Sequence, residues 1–407
     1  MSSRASDSQA FRLRKGECRG RYGIVFINLG SLLAQIVQIA GYPTLLALAL
    51  ARIDYPSWVI GVIVSFQWVV VLFLAPFVPA VMKRIGTRKA CQAGTLVSLA
   101  ALALLLFSHA TAAIAASSLL MGGGLTIRWV ACDTWIVETV SERLRGRAIG
   151  IHETLMGLGI AIGPLLTMLS ADSETTALLG YMVLLALSFA SFAFGSRVAE
   201  TEAIEHGGRE RHIFTVFRVL ALGLLAALMA GYIETAMVAL LPLYLMQFHY
   251  PEAQALVLLS VFGLGGTVLQ TPLGWIADRW GFRAAQVVCL SLIVIAAMLL
   301  MTAIGLLPVV VAILFVWGGC AGGLNTLAVI EAGSTLDARM SGTGMALIAS
   351  SYTLGGVIGP AVFGSTLSLM QGQGAIVVIL GLMIVYAAML AFADRGTLAN
   401  VRRRRTL

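Results

Sequence analysis

The stretch Gly122–Pro164 reads GGGLTIRWVACDTWIVETVSERLRGRAIGIHETLMGLGIAIGP, two apolar runs joined by a short basic turn. Its layout returns in Gly318–Pro360, GGCAGGLNTLAVIEAGSTLDARMSGTGMALIASSYTLGGVIGP. Gly122, Arg143, Gly146, Gly159, Gly163 and Pro164 lie 196 positions before Gly318, Arg339, Gly342, Gly355, Gly359 and Pro360. A register held without slippage through two helices marks an internal repeat. Arg128, Asp133 and Glu153 meet Leu324, Val329 and Ala349 in the second copy. Shared residues therefore read as scaffold, and unshared charges as chemistry.

Outward from this stretch, the 407 residues are 59% hydrophobic and 11% charged, with a mean hydropathy of +0.93. A water-soluble fold, usually about 25% charged, cannot hide that much apolar surface. The chain therefore reads as an all-α integral membrane protein. Apolar runs of about 20 residues recur throughout, each long enough to cross a hydrocarbon core as a helix that satisfies its own backbone. Strands of a barrel would be shorter and alternating, and none is visible. Cys18, Cys91, Cys132, Cys289 and Cys320 lack the spacing of a zinc site or disulfide framework and read as small apolar fillers.

Twelve spans are expected near 22–48, 57–82, 90–108, 111–138, 147–170, 175–197, 215–246, 252–277, 284–304, 306–331, 340–368 and 372–393. With the first end cytoplasmic, inside segments carry Arg4 to Arg21, Lys83 to Lys89, Arg143 to Arg147, Arg197 to Arg218, Arg279, Arg283, Arg339 and the Arg402–Arg405 run. Only Arg52 falls outside, and only Arg128 within a span. That asymmetry puts both termini in the cytoplasm, and uses the net charge of +8 for topology rather than nucleic acid. The reading divides the chain into a tail (1–21), a six-helix bundle (22–197), a polar linker (198–214), a second six-helix bundle (215–394) and a basic tail (395–407) placed against anionic lipid headgroups.

A second repeat aligns PLGWIADRWGFR, Pro272–Arg283, with FVPAVMKRIGTR, Phe77–Arg88, at an offset of 195. The later copy is complete; in the earlier one Pro79 and Lys83 replace Gly274 and Asp278. The GWIADRWGFR stretch resembles the loop Gly-x-x-x-Asp-Arg-x-Gly-x-Arg of the major facilitator superfamily. GLGIAIGP, Gly157–Pro164, is similar to the glycine and proline signature of its antiporters, and the wider stretch from Thr134 resembles the subgroup that includes bacterial inner-membrane transporters and drug or sugar effluxers, which implies a bacterial inner (plasma) membrane. The resemblance covers residues 20–395. It implies two pseudo-symmetric six-helix bundles around a cavity that opens alternately to either side, in a transporter rather than an enzyme.

Within that frame Arg128 is the first candidate for substrate binding. It lies about 16 Å inside span four at 1.5 Å per residue, where a guanidinium needs a carboxylate, a water-filled cavity or an anionic substrate. Gln35, Trp129, Tyr232 and Asn325 are expected to line the same cavity. Glu234, alone in span seven, is a candidate for proton coupling, with Asp133 and Glu153, which can share a proton or compete for Arg128. His152 reads as a packing or hydrogen-bonding residue rather than a proton relay. Glu138, Arg143 and Arg147 in the first half, and Asp278, Arg279 and Arg283 in the second, are gating candidates.

No P-loop, metal-ligand cluster or nucleophile–base pair is visible, so no cofactor and no catalysis are expected. The function read from these residues is export of a small organic or amphipathic compound by proton antiport, through a monomer embedded in lipid. The alternative is an organic-anion importer or exchanger with Arg128 on the substrate anion.

Overall fold

The structure is a computed structural model and describes residues 23–140, 142–170, 173–195, 213–370 and 373–405, without side-chain detail at 142–146, 338–339 and 392–405. Among the described residues, twelve helices are long and apolar enough to cross a membrane. The first half holds α1 (Gly23–Arg52), α2 (Ser57–Ile85), α3 (Thr87–Phe107), α4 (Thr111–Thr139), α5 (Arg147–Leu169) and α6 (Glu174–Ala193). The second holds α7 (Ala221–Gln247), α8 (Glu252–Trp280), α9 (Phe282–Ala303), α10 (Leu307–Thr335), α11 (Met340–Leu369) and α12 (Gln373–Ala391). Side chains such as Phe73, Phe107 and Leu169 are left 69%, 84% and 75% exposed. Water would not tolerate such a surface, but a hydrocarbon core covers it at no cost.

Two expected boundaries move. Span seven, expected from 215, is broken at Leu220, which separates a short helix Ile213–Val219 from α7. The helix of α12 runs on to Arg405, so the basic tail continues that span instead of leaving it. The expected tail 1–21 and nearly all of the linker 198–214 lie outside the described residues.

The repeat seen in sequence is also a repeat of backbone conformation. Among the described residues, Asp54 and His249, 195 positions apart, are the two non-glycine residues with positive φ, at 60° and 65°. Pro56 and Pro251 follow as N-caps of α2 and α8, and Gly86 (φ 81°) and Gly281 (φ 86°) make the turns into α3 and α9. Left-handed φ at those two turns is what glycine supplies without steric cost. Val140 and Leu336, 196 positions apart, end α4 and α10 in extended conformation.

In α1, Ile36–Gly41 forms a π-helical turn. Pro43, two residues on, has no N–H for the carbonyl four positions back, and its ring would clash there. Widening the turn relieves the clash, and Tyr42 N–H instead reaches Val37 O. The glycines of α5 fit against this bulge: a Cβ on Gly159 would lie 2.9 Å from Gln35 Cγ, and one on Gly163 would lie 2.8 Å from Gly41 N. The glycine and proline signature is therefore, first, the surface that lets α5 approach α1.

The halves meet where α2 crosses α11 and where α5 crosses α8. Both crossings rest on backbone touching backbone. A Cβ on Gly61 would lie 2.1 Å from Pro360 O, one on Gly364 2.3 Å from Ser57 O, and one on Gly263 2.7 Å from Ala161 N. Toward the same end, Arg52 Nη2 pairs with Glu252 Oε1 at 2.6 Å, Trp58 N–H donates to Ser368 Oγ, and Thr44 Oγ1 donates to Val238 O at 2.8 Å. This is the closed end. At the opposite end, the terminal part of α2 packs on α3 and α4, and that of α8 on α9 and α10. Glu153, Thr154, Ala346, Ala349 and Ser350 are exposed there, so the halves part into an open vestibule.

Candidate functional site

Where the halves close behind the vestibule, Trp68 on α2 and Tyr352 on α11, both buried, pack around Glu234 on α7. Glu234 is the central residue of α7, 13 positions from either end, and is half-buried. Its carboxyl is hydrogen-bonded to the Tyr352 hydroxyl. The Tyr352 ring meets the Trp68 indole edge-on at 5.9 Å between centroids. The indole lies on Gly356, where a Cβ would come within 2.8 Å of it. A narrow cleft opens here between the two halves, lined by Pro43, Val64, Trp68, Glu234, Thr235 and Val238.

Glu153, on α5, is exposed into the vestibule and stands within electrostatic reach of Glu234 on one side and Asp133 on the other. The two halves thus each present a carboxyl to the same space. Asp133 does not compete for Arg128 as expected. Its side chain is 45% exposed, and its Oδ1 stands 3.3 Å from Nε2 of His152, itself 3% exposed. Asn28 Nδ2 donates to Ile24 O at 3.1 Å, which turns Asn28 Oδ1 toward His152 Nδ1, 2.9 Å away. That oxygen can only accept, so Nδ1 carries a hydrogen. A neutral imidazole would then present a bare Nε2 lone pair to a carboxylate oxygen. The contact becomes attractive when one further proton sits on either partner. His152, expected to pack or to hydrogen-bond, is a polar bridge from α5 to α1 and α4.

Arg128 is fully buried and finds neither carboxylate nor open water. Its Nε donates to Gln38 Oε1 at 2.6 Å, and its Nη2 to Gln35 Oε1 at 2.9 Å, while Nη1 is without a partner. Gln38 is held in turn by Ser98 Oγ at 2.6 Å, and its own carbonyl accepts from Gln67 Nε2 at 2.7 Å. The π-turn begins between the two glutamines, so the bulge places the amides that receive the guanidinium. Amide dipoles spread the charge where the sequence reading called for a carboxylate, a water-filled cavity or an anionic substrate.

The remaining candidates are scattered. Trp129 is half-buried against the core, and Tyr232 is buried at the α7–α11 crossing with its hydroxyl unpartnered. Asn325 is half-buried with a free Oδ1. Among the gating candidates, Glu138, Arg147 and Asp278 are exposed and form no ion pair among the described residues; the side chain of Arg143 lies outside them. Arg279 covers the Trp275 ring at 5.5 Å. Arg283 does not reach the other half. It pairs with Glu331 of α10 at 2.8 Å and with Gln286 Oε1, while Gln286 Nε2 donates to the other Glu331 oxygen at 3.1 Å.

Trp68 and Tyr352 had no signal in the sequence, because they are uncharged residues of apolar spans in opposite halves, far apart along the chain. The cysteines, distant in sequence, come together as pairs across neighbouring helices. Cys91 Sγ is 3.4 Å from Cys132 Sγ, Cys289 is hydrogen-bonded to Cys320, and all four are buried free thiols.

The sequence profile of the Major Facilitator Superfamily matches residues 24–360. The MFS-type transporter YfkF of Bacillus subtilis, itself uncharacterized, is 24% identical over 303 residues, 72% of this chain and 76% of that one. The uncharacterized MFS-type transporter YcaD of Escherichia coli is 22% identical over 366 residues, 90% of this chain and 94% of that one. The crystal structure of a mutant of the nucleoside transporter NupG superposes with a TM-score of 0.78 at 14% identity, over 90% of this chain and 98% of NupG, a likeness of fold. With most of its length matched, twelve apolar helices and two related halves, the chain belongs to the major facilitator superfamily and is a secondary transporter of a small molecule, not an enzyme.

Proposed function

We propose that the chain exports a small organic or amphipathic compound in exchange for protons. The halves rock about the α2–α11 and α5–α8 crossings, so that the vestibule opens to one side of the membrane and then the other. The observation that carries this reading is the His152–Asp133 contact, whose hydrogen-bond geometry calls for one extra proton at the edge of a solvent-reached vestibule. Glu153 and Glu234 supply further proton-binding carboxyls on either side of the path. With both termini cytoplasmic, as the basic residues predict, the open end faces the cytoplasm.

Everted membrane vesicles with an imposed pH gradient test the reading. Compounds that the protein carries should collapse the gradient, and Asp133→Asn should remove the proton movement while leaving folded protein. Compound flux without any proton movement would overturn it. The unpartnered Arg128 Nη1 favours a second reading, organic-anion exchange with Arg128 as clamp. That reading requires a fully buried guanidinium to be uncovered first.

A further inference from the structure

We infer that Asn28 is the positioning residue that ties this transporter to protons: it keeps the hydrogen of the neutral His152 ring on Nδ1, so that the His152–Asp133 contact closes only with a proton taken from solution. The inference rests on the proton-exchange reading and names the group that makes the exchange obligatory.

A neutral histidine beside a carboxylate ordinarily needs no further proton, because it places its one hydrogen on the nitrogen that faces the carboxylate and donates it. His152 would then hold hydrogen on Nε2, 3.3 Å from Asp133 Oδ1. Asn28 forbids that tautomer. The bare Nδ1 lone pair would face Asn28 Oδ1 at 2.9 Å, acceptor against acceptor. Turning the amide over gives no relief, since Nδ2 donates to Ile24 O at 3.1 Å and a reversed amide would set Oδ1 against that carbonyl. Both side chains are buried, so a misplaced lone pair there stays unsatisfied.

The charges around the ring leave this choice to Asn28. From α4 the ring is faced by Asp133 and the Cys132 thiol, from α5 by the adjoining Glu153, and from α1 by the uncharged Asn28. Charges act on the ring as a whole, whereas hydrogen bonds choose between its two nitrogens. Those bonds come from Asn28 and Asp133, and Asp133 alone would draw the hydrogen to Nε2. Loading the extra proton links α1, α5 and α4 in one chain from Ile24 O to Asp133; unloading breaks it at Nε2.

Packing does not call for this chain. At the offset of 196, Asp133 and His152 meet Val329 and Ile348 in the second half. Ile348 is buried, and Val329 packs against the same apolar core. The repeat therefore accepts apolar side chains at both positions, which leaves the polar chain of the first half free for another use.

Nitrogen-15 NMR of the purified full-length protein, labelled at histidine and assigned with His152→Gln, tests the inference on the protein alone. In the wild type Nδ1 should keep its hydrogen as pH is varied, while Nε2 gains and loses one. In Asn28→Leu, which has no acceptor, the hydrogen should move to Nε2 and stay there, donating to Asp133, so that the step at Nε2 is lost. Asn28→Ala, which adds no bulk, should do the same. In Asn28→Asp, whose two oxygens both accept, the hydrogen should return to Nδ1 and the step to Nε2. Thermal melting identifies variants that have lost their fold. A merely structural Asn28 would lower the melting temperature and leave the tautomer unchanged. Hydrogen that stays on Nδ1 in Asn28→Leu and Asn28→Ala, with the step at Nε2 intact, would overturn the inference and leave proton exchange standing. A wild-type ring with hydrogen fixed on Nε2 would remove proton exchange as well.

Discussion

Gly61 offers a direct handle on the closed end. A Cβ there would sit 2.1 Å from Pro360 O, whereas real Cβ contacts stay beyond 3.0 Å, so Gly61→Ala must push α2 and α11 apart by about 1 Å at this crossing. Overpacking of this kind costs about 1–3 kcal/mol, and here the cost falls only on the state in which the two halves touch. At 1.4 kcal/mol per factor of ten, the equilibrium should shift about 5- to 150-fold away from the form described and toward one open at this end. Gly122→Ala is the control. Its Cβ would meet Gln67 O at 2.2 Å, but that contact joins α4 to α2 inside one half and is present in both forms. Spin labels at Ala110→Cys and Leu306→Cys, at the starts of α4 and α10, report the separation of the halves. With Cys18 replaced by Ser, the four remaining thiols are buried. Gly61→Ala should lengthen that distance with little loss of melting temperature, and Gly122→Ala should lower the melting temperature without lengthening it. An unchanged distance in Gly61→Ala, with melting lowered as in the control, would refute the claim that this crossing closes the pathway.

Other perturbations follow from the same geometry. The Arg52–Glu252 pair is partly exposed and so is worth about 0.2–1 kcal/mol; Arg52→Glu should bias the same label distance outward by a few-fold, and the double swap Arg52→Glu with Glu252→Arg should restore it. Arg283→Ala strands a nearly fully buried Glu331 and should cost about 3 kcal/mol in a denaturant or thermal assay, discounted for the part-exposed arginine, with Glu331→Gln recovering part of the loss. Gln38→Ala leaves Arg128 Nε without its acceptor inside the bundle, a loss of about 1–3 kcal/mol of stability and of transport that Gln67→Leu, which spares the guanidinium, should not match in transport.

How far the sequence reaches is clear from particular residues. The repeat of Gly122–Pro164 in Gly318–Pro360 and the basic turns were enough for twelve helices in two halves, because hydrophobic period and glycine spacing are local. The same locality hid the site. Arg128 was legible as a buried charge, yet its partners Gln35 and Gln38 meet it only because a proline two residues beyond the π-turn widens α1. Asp133 and His152 lie on different helices, and their contact depends on how α4, α5 and α1 cross. Trp68 and Tyr352 come from opposite halves and meet through the packing of α2 on α11. The pairing of Arg283 with Glu331, not with a residue across the vestibule, depends on α9 and α10 packing within one half.

The proton between His152 and Asp133 is the point on which proton exchange rests, and nitrogen-15 NMR of selectively labelled histidine reads it directly. The account predicts a His152 ring with hydrogen on Nδ1 at every pH, and a second proton on Nε2, facing Asp133, that leaves over the pH range in which transport changes. In Asp133→Asn that step should vanish, because the amide can donate to Nε2 in place of the shared proton. A wild-type ring with hydrogen only on Nε2, facing an ionised Asp133 across the whole range, would contradict the account.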